Sequence, residues 1–272
     1  MDTLHIINSL FGAPRALIGV VHLQALPGTP ASKFDVPTIT SIAVDEARVY
    51  RDAGFHGVLI ENTHDRPYLK ADLGPEIATA MAVVGAEVRR ATALPLGIQV
   101  LAGANSSALA VALACGARFV RVEGFVFAHV ADEGLIEASA GALLRYRRAI
   151  GGDHIRVFAD VKKKHSAHAL TADLDVVETA KAAEFFMVDG VIVSGVATGQ
   201  PADRKEVESV GRAVSVATVV GSGVTTQNIV NYPDADAFIV GSSIKKEGLW
   251  SNPLDPGRVG ALVRAFRELP AP

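Results

Sequence analysis

Eight short apolar runs rich in β-branched residues recur along the chain, at 17–21, 57–61, 96–100, 119–123, 155–160, 190–194, 217–220 and 237–240. Longer amphipathic stretches separate and follow them, at 40–53, 75–91, 106–114, 137–150, 173–186, 203–213, 226–231 and 256–269. Runs such as Val191-Ile192-Val193 show no polar alternation, so both faces must be covered, as in parallel strands flanked by helices. Gly54, Gly116 and Gly151 follow three of the helical stretches, while Asp173, Thr226 and Asp255 stand near helix starts where short polar side chains cap free amides. Strand, helix, strand with short links implies right-handed crossovers. An open doubly wound sheet would need a Gly-x-Gly-x-x-Gly turn after the first strand, and Val21-His22-Leu23-Gln24-Ala25-Leu26-Pro27-Gly28 has none. With no linker or break in composition, the pattern predicts an α/β chain folded as a single (β/α)₈ TIM barrel over residues 1–272. Residues 1–14 precede the first strand. Leu4, Ile7, Leu10 and Phe11 have helical spacing there, for an extension that plugs the barrel's bottom or covers a neighbouring subunit.

Composition closes off other classes. Hydrophobic residues are 49% of the chain and charged residues 20%, ample for a core and unlike a disordered chain. A formal net charge of −3 leaves no electrostatic footprint for a nucleic-acid partner. No apolar run approaches the roughly 18 residues of a membrane span, and the first residues lack the basic-then-apolar pattern of a signal peptide. The lone cysteine, Cys115, excludes an intramolecular disulfide and sits in an apolar run, as a buried small hydrophobe in a reducing compartment would. A cytoplasmic protein is expected, and apolar residues on the barrel helices leave room for a homo-oligomer.

In such a barrel the chemistry gathers at the C-terminal ends of the strands. The strand bodies are almost purely apolar, yet their ends carry His22, Glu61-Asn62, Gln99, Arg121 with Glu123, Asp160 with Lys162, and Lys164-His165. Glu61 is the leading general acid/base, because burial at an apolar mouth raises a carboxyl pKa toward working pH. Its plainer alternative is an ion pair with Arg121 or Lys162. Asp160 and Lys162 share a face if their segment stays extended. With Lys164 and His165 they form a cluster suited to proton transfer or enolate stabilisation, or a solvated charge run. His22 would act as a base, a substrate donor or, converging with Glu61, Asp160 and His165, a ligand to a divalent cation, or would be structural. Asn62, Gln99, Arg121, Glu123 and Lys164 are expected to contact substrate, and Asp132-Glu133-Gly134 to form part of a lid. No His-Glu-x-x-His or cysteine-rich spacing occurs, so neither a metal nor another cofactor is expected.

The last three strand ends differ in kind. Ser194-Gly195-Val196-Ala197-Thr198-Gly199, Gly221-Ser222-Gly223 and Gly241-Ser242-Ser243 are built from glycine and small hydroxyl residues. Glycine lets backbone amides approach an oxyanion, hydroxyls add donors, and phosphate sites recur after the seventh and eighth strands of this fold. Each loop alone reads as a tight turn; three side by side read as a phosphate cradle, with Ser194, Gly195, Thr198, Gly199, Gly221, Ser222, Gly223, Gly241, Ser242 and Ser243 as its residues.

These loops resemble those of the ribulose-phosphate-binding barrels, particularly the tryptophan synthase α-subunit, which also carries a catalytic glutamate on its second strand, where Glu61 stands here. A resemblance to the BtpA/SgcQ family covers nearly the whole chain. It is carried by Ile18-Gly19-Val20-Val21-His22-Leu23 with Leu26-Pro27-Gly28-Thr29-Pro30, and by Gly57-Val58-Leu59-Ile60-Glu61-Asn62. Phe119-Val120-Arg121-Val122-Glu123, Asp132-Glu133-Gly134-Leu135-Ile136-Glu137, Ala159-Asp160-Val161 with Lys164-His165, and the glycine motifs continue it. Gln99, where asparagine is common, and Ala102-Gly103-Ala104, in place of a more polar stretch, depart from the pattern. The resemblance implies links to photosystem I biogenesis or to sugar metabolism. The combined expectation is a lyase or isomerase acting on a small phosphorylated sugar or nucleotide-derived metabolite. The alternatives are a non-catalytic assembly factor and a nucleoside or glycoside hydrolase using Glu61 and Asp160.

Overall fold

The computed structural model describes residues 3–195 and 199–271. Eight parallel strands close into a barrel: β1 (Ala16–His22), β2 (Gly57–Glu61), β3 (Leu96–Gln99), β4 (Phe119–Val122), β7 (Arg156–Val161), β9 (Gly190–Val193), β10 (Ala217–Val220) and β11 (Ala237–Val240). The ring closes where β1 pairs with both β2 and β11, with Gly19 opposite Val58 on one side and Val240 on the other. Helices α2 (Val36–Ala53), α3 (Pro75–Thr92), α4 (Asn105–Cys115), α5 (Ala140–Ala149), α6 (Val176–Phe185), α7 (Arg204–Ala213) and α8 (Pro256–Arg267) lie outside. Their starts follow side-chain caps: Asp35, Asp175, Asp203 and Asp255 each accept from an amide of the first turn.

Two apolar layers hold the barrel. Strand residues facing out pack on the helices. Those facing in (Ile18, Val20, Leu59, Phe119, Phe158, Ile192, Val219 and Ile239) form a second core with Ile6, Ile7, Leu10 and Phe11. The latter come from α1 (Thr3–Phe11), which seals the floor: Phe11 meets Phe119 edge-on at 5.6 Å. Phe119 and Phe158 fit inside because Gly97 and Gly190 beside them have no Cβ; one added there would lie 2.2 and 2.5 Å from the rings.

Three features depart from the expected pattern. The stretch 226–231 is not a helix but ends in one short 3₁₀ turn, Ile229–Asn231. Asn228 explains it, since its side chain takes the Thr225 amide (2.7 Å) and donates to the Gly223 carbonyl (2.8 Å), competing with helical bonds. Helix α6 starts at Val176, capped by Asp175 and not by Asp173. The loops after β4 and β7 are not irregular: β5 (His129–Ala131), β6 (Gly134–Ile136) and β8 (Ser166–Ala167) form a small antiparallel sheet at the barrel mouth, with Asp132 and Glu133 in its hairpin turn.

Candidate active site

Strand register builds one polar tier above the apolar core. His22 on β1 stands opposite Glu61 on β2, and Glu61 opposite Gln99 on β3. On β4 the two-residue alternation that turns Phe119 inward also turns Arg121 inward, and Asp160 reaches it from β7. These side chains line a cavity of about 340 Å³.

Arg121 is its hub. The guanidinium grips Asp160 with Nε and a terminal nitrogen, both at 2.8 Å, and its other terminal nitrogen lies 3.4 Å from Glu61 Oε1 and from the Gly221 carbonyl. Such a fork is the geometry in which Arg holds a carboxylate best. Ser194 Oγ donates to the same aspartate at 3.4 Å. Glu123 accepts from Gln99 and the Gly103 amide, each at 3.1 Å, and pairs with Lys163 at 3.1 Å. Lys163 also reaches Glu133 at 3.7 Å, tying the mouth sheet to the tier. Glu61, Glu123 and Asp160 thus face Arg121, Lys163 and Lys164, and a desolvated site is close to charge-balanced.

Burial sets the protonation states. It raises the Glu61 carboxyl above its ordinary range, with Arg121 and Lys164 opposing and falling short. It raises Glu123 in the same way against Lys163. Burial, with Lys245 adding, drives His22 down to about 3, so the ring is neutral at physiological pH. The His22 Nδ1 lies 2.9 Å from the Trp250 carbonyl, which can only accept, so Nδ1 carries the proton. Nε2 is then an acceptor, 4.0 Å from Glu61 Oε2. Burial also works against charge on Arg121, but Asp160, Glu61 and Glu123 outweigh it and raise that pKa.

His22, Glu61, Gln99, Arg121, Glu123, Asp160, Lys164 and His165 all line this cavity. Lys162 does not. Strand β7 ends at Val161, and Lys162 turns into the left-handed region (φ 49°), so alternation with Asp160 fails and its amine bonds the Leu174 carbonyl. Lys163, passed over by the period-two argument, takes that place. Asn62 is also absent from the lining: fully buried, it donates to Asp65 (2.9 Å) and accepts the Leu101 amide (2.7 Å), clamping two loops together. Arg121 sits between Glu61 and Asp160, where a two-carboxylate hydrolase would hold its glycosidic bond.

The glycine-rich loops divide similarly. Gly199, Gly221, Ser222, Gly223, Gly241 and Ser242 border the cavity. A second hollow of about 480 Å³ shares Gly199, Gly223, Gly241 and Ser242 and adds Ser243, Thr225, Thr226 and Arg258. Ser194 and Gly195 lie behind it, where the Gly195 amide meets Ser222 Oγ at 3.2 Å; Thr198 falls outside the described residues. Gly223 (φ 67°) also has a packing reason, since a Cβ there would come 1.9 Å from the Gln200 carbonyl oxygen. Tyr68, Arg66 and Trp250 complete the rim; Arg66 lies over the Trp250 ring at 4.9 Å. The single tryptophan of the chain, placed after the eighth strand, was the one available signal for that contact. Arg258 had none beyond its place at the start of the last helix. Among the described residues no group of three or more His, Cys, Asp or Glu side chains is placed to ligate a metal, and no helix is long and apolar enough to cross a membrane.

Among solved structures, the fold is similar to thiamine phosphate pyrophosphorylase from Pyrococcus furiosus (TM-score 0.59, 13% identity, 97% of this chain and 98% of that one). In sequence, a Caenorhabditis elegans protein described as mitochondrial is 42% identical over 270 residues, 97% of this chain and 98% of its own. The photosystem I biogenesis protein BtpA of Synechocystis is 35% identical over 260 residues, 95% of this chain and 90% of its own. The BtpA family model matches residues 13–268, from just before the first barrel strand into the end of the last helix, and the chain belongs to the BtpA family.

Proposed function

We propose that the protein is an enzyme of lyase or isomerase type acting on a small phosphorylated sugar or nucleotide-derived metabolite. The observation that carries this reading is the junction of two unlike surfaces: the buried ionisable tier around Arg121 opens into the same hollow as Gly223, Gly241 and Ser242. The phosphate would sit among the loops after β9, β10 and β11, with Arg258 beside them. Glycines admit amides to the oxyanion, and the guanidinium offsets its charge. The reacting carbons would then lie over Glu61, whose raised pKa suits it to hand a proton to a developing oxyanion, while His22 Nε2 accepts from a substrate hydroxyl. Asp160, held on both oxygens, positions Arg121. A reducing compartment, the cytoplasm first, is supported by the lone buried Cys115.

Thermal unfolding with inorganic phosphate, sugar phosphates and nucleoside monophosphates tests the reading. A true ligand at a hundredfold excess over Kd should add about 2.7 kcal/mol, a Tm rise of at least about 5 °C. Ser242→Glu, which places a carboxylate in the cradle, should abolish that rise. No response to any phosphorylated compound would sink the proposal. The name of the Synechocystis relative favours a second reading, an assembly factor without catalysis. A scaffold has no use for a desolvated ionisable tier, so Glu61→Ala separates the two: a scaffold keeps its cellular role and an enzyme loses it.

A further inference from the structure

The run Lys162-Lys163-Lys164 ends β7, and its three amines meet three different fates. Lys162 bonds a backbone carbonyl outside the cavity. Lys163 is held between Glu123 and Glu133, and although burial opposes its charge, those carboxylates raise its pKa and keep it an ammonium. The Lys164 amine lines the cavity and makes no hydrogen bond or ion pair among the described residues, while its backbone carbonyl accepts from Ser166 Oγ at 3.3 Å. Lys164 is half-buried, and it shares the cavity wall with Glu61, Asp160, Arg121 and His22. Holding a half-buried amine against a cavity wall with no carboxylate bonded to it has a cost that a site using the amine would explain. Here two influences hold the amine below the ordinary lysine range: burial first, then the Arg121 guanidinium. Glu61, Asp160 and Glu123 pull the other way without restoring it. Desolvation beside another cation is how a lysine becomes nucleophilic at neutral pH.

We propose that Lys164 is a covalent nucleophile that forms an imine with the carbonyl carbon of a small phosphorylated aldehyde or ketone. The proposal rests on the phosphorylated-ligand reading above and adds the carbonyl to it. The neutral amine adds to the carbonyl carbon: the N–C bond forms, the C=O π pair moves to oxygen, and that oxygen takes the proton of Glu61. The Glu61 carboxylate then recovers a proton from the adduct nitrogen, leaving a neutral carbinolamine. The nitrogen lone pair next expels the hydroxyl, which takes the Glu61 proton and leaves as water. The products are a protonated imine on Lys164, one water and a Glu61 carboxylate. That carboxylate is placed to remove an α-hydrogen, or the proton of a β-hydroxyl as the adjoining C–C bond breaks. In either case the electron pair ends on the imine nitrogen as an enamine, so isomerase and lyase outcomes share one intermediate.

Pyridoxal 5′-phosphate, an aldehyde with its own phosphate, is the probe. The full-length protein is incubated with it, reduced with borohydride and peptide-mapped. Lys164 should be labelled about tenfold faster than the exposed Lys33, Lys205 and Lys246. Inorganic phosphate should suppress that label, and Lys164→Arg should remove it while unfolding at the wild-type temperature. Labels spread evenly over exposed lysines, with inorganic phosphate still raising the Tm, would overturn the imine and leave the phosphorylated-ligand reading standing. Labelling of Lys164 that phosphate does not suppress would support the imine and overturn the cradle. Neither a Tm response nor a preferred lysine would sink both.

Discussion

At the scale of single residues, the site is organised by which charges burial makes expensive. Glu61 illustrates the sign. Its folded-state pKa lies above the unfolded value, so the favourable contribution of its protonated form is fully present below the unfolded pKa and is lost as pH rises through the folded one. Glu61→Gln keeps the shape without the charge. Its Tm should match wild type near pH 4 and exceed it at pH 8, while turnover in the proposed reaction should fall by about 10² to 10⁴, the loss of one positioned acid. A variant less stable than wild type at pH 8 would show that the Arg121 contact outweighs burial. Lys163 behaves oppositely, because removing it strands Glu123 in the buried tier. Lys163→Met should cost about 3 kcal/mol in urea unfolding, whereas Lys162→Met should cost about 1 kcal/mol and leave phosphate binding unchanged. Equal effects would mean that the lysine run does not divide as described.

At the scale of elements, α1 and the mouth sheet are additions that the barrel uses at its two ends. A parallel barrel filled with aromatic rings still needs a floor, and Ile7, Leu10 and Phe11 supply it. Phe11→Ala should cost about 3 to 5 kcal/mol, read from the urea midpoint, because the floor cannot collapse onto the space left beside Phe119. Removal of α1 should leave a chain that unfolds without a cooperative transition. The periodicity of Leu4, Ile7, Leu10 and Phe11 made the helix legible but left its partner open between barrel floor and neighbouring subunit. The mouth sheet was not legible. Its strands are two or three residues long, too short for alternation to register, and β8 finds its partner Val130 only after the barrel has brought the two loops together.

At the scale of the whole molecule, the barrel closes by joining its first strand to its last. Arg15 fastens that seam: buried just before β1, it donates to the carbonyls of Ala235 (2.9 Å) and Pro233 ahead of β11, and to Pro270 (2.6 Å) near the C-terminus. Arg15→Met should lose about 3 kcal/mol and lower the Tm by at least about 6 °C, since three carbonyls, that of Ala235 buried, lose a charged donor. A change under 1 °C would place the closing energy in the strands alone.

Apolar periodicity, capping residues and glycine stops are local, and local chemistry was enough for the sequence to determine the order of barrel units and the end of the barrel where polar groups gather. It also marked Glu61 and the glycine loops, because a strand end is identifiable from its own neighbours. What each group does there is not local. Arg121 meets Glu61 across 60 residues of chain and Gly221 across 100. Left-handed turns at Lys162 (φ 49°) and His165 (φ 54°) redirect a charged run that an extended reading had aligned. Only the closed barrel decided that Asn62 clamps loops, that Asp160 is locked by a guanidinium, and that Lys164, alone of three neighbouring lysines, lines the cavity without an ion pair among the described residues. The physical reason is that pairing energies in a desolvated tier depend on distances between strand ends, and those exist only once all eight strands are in place.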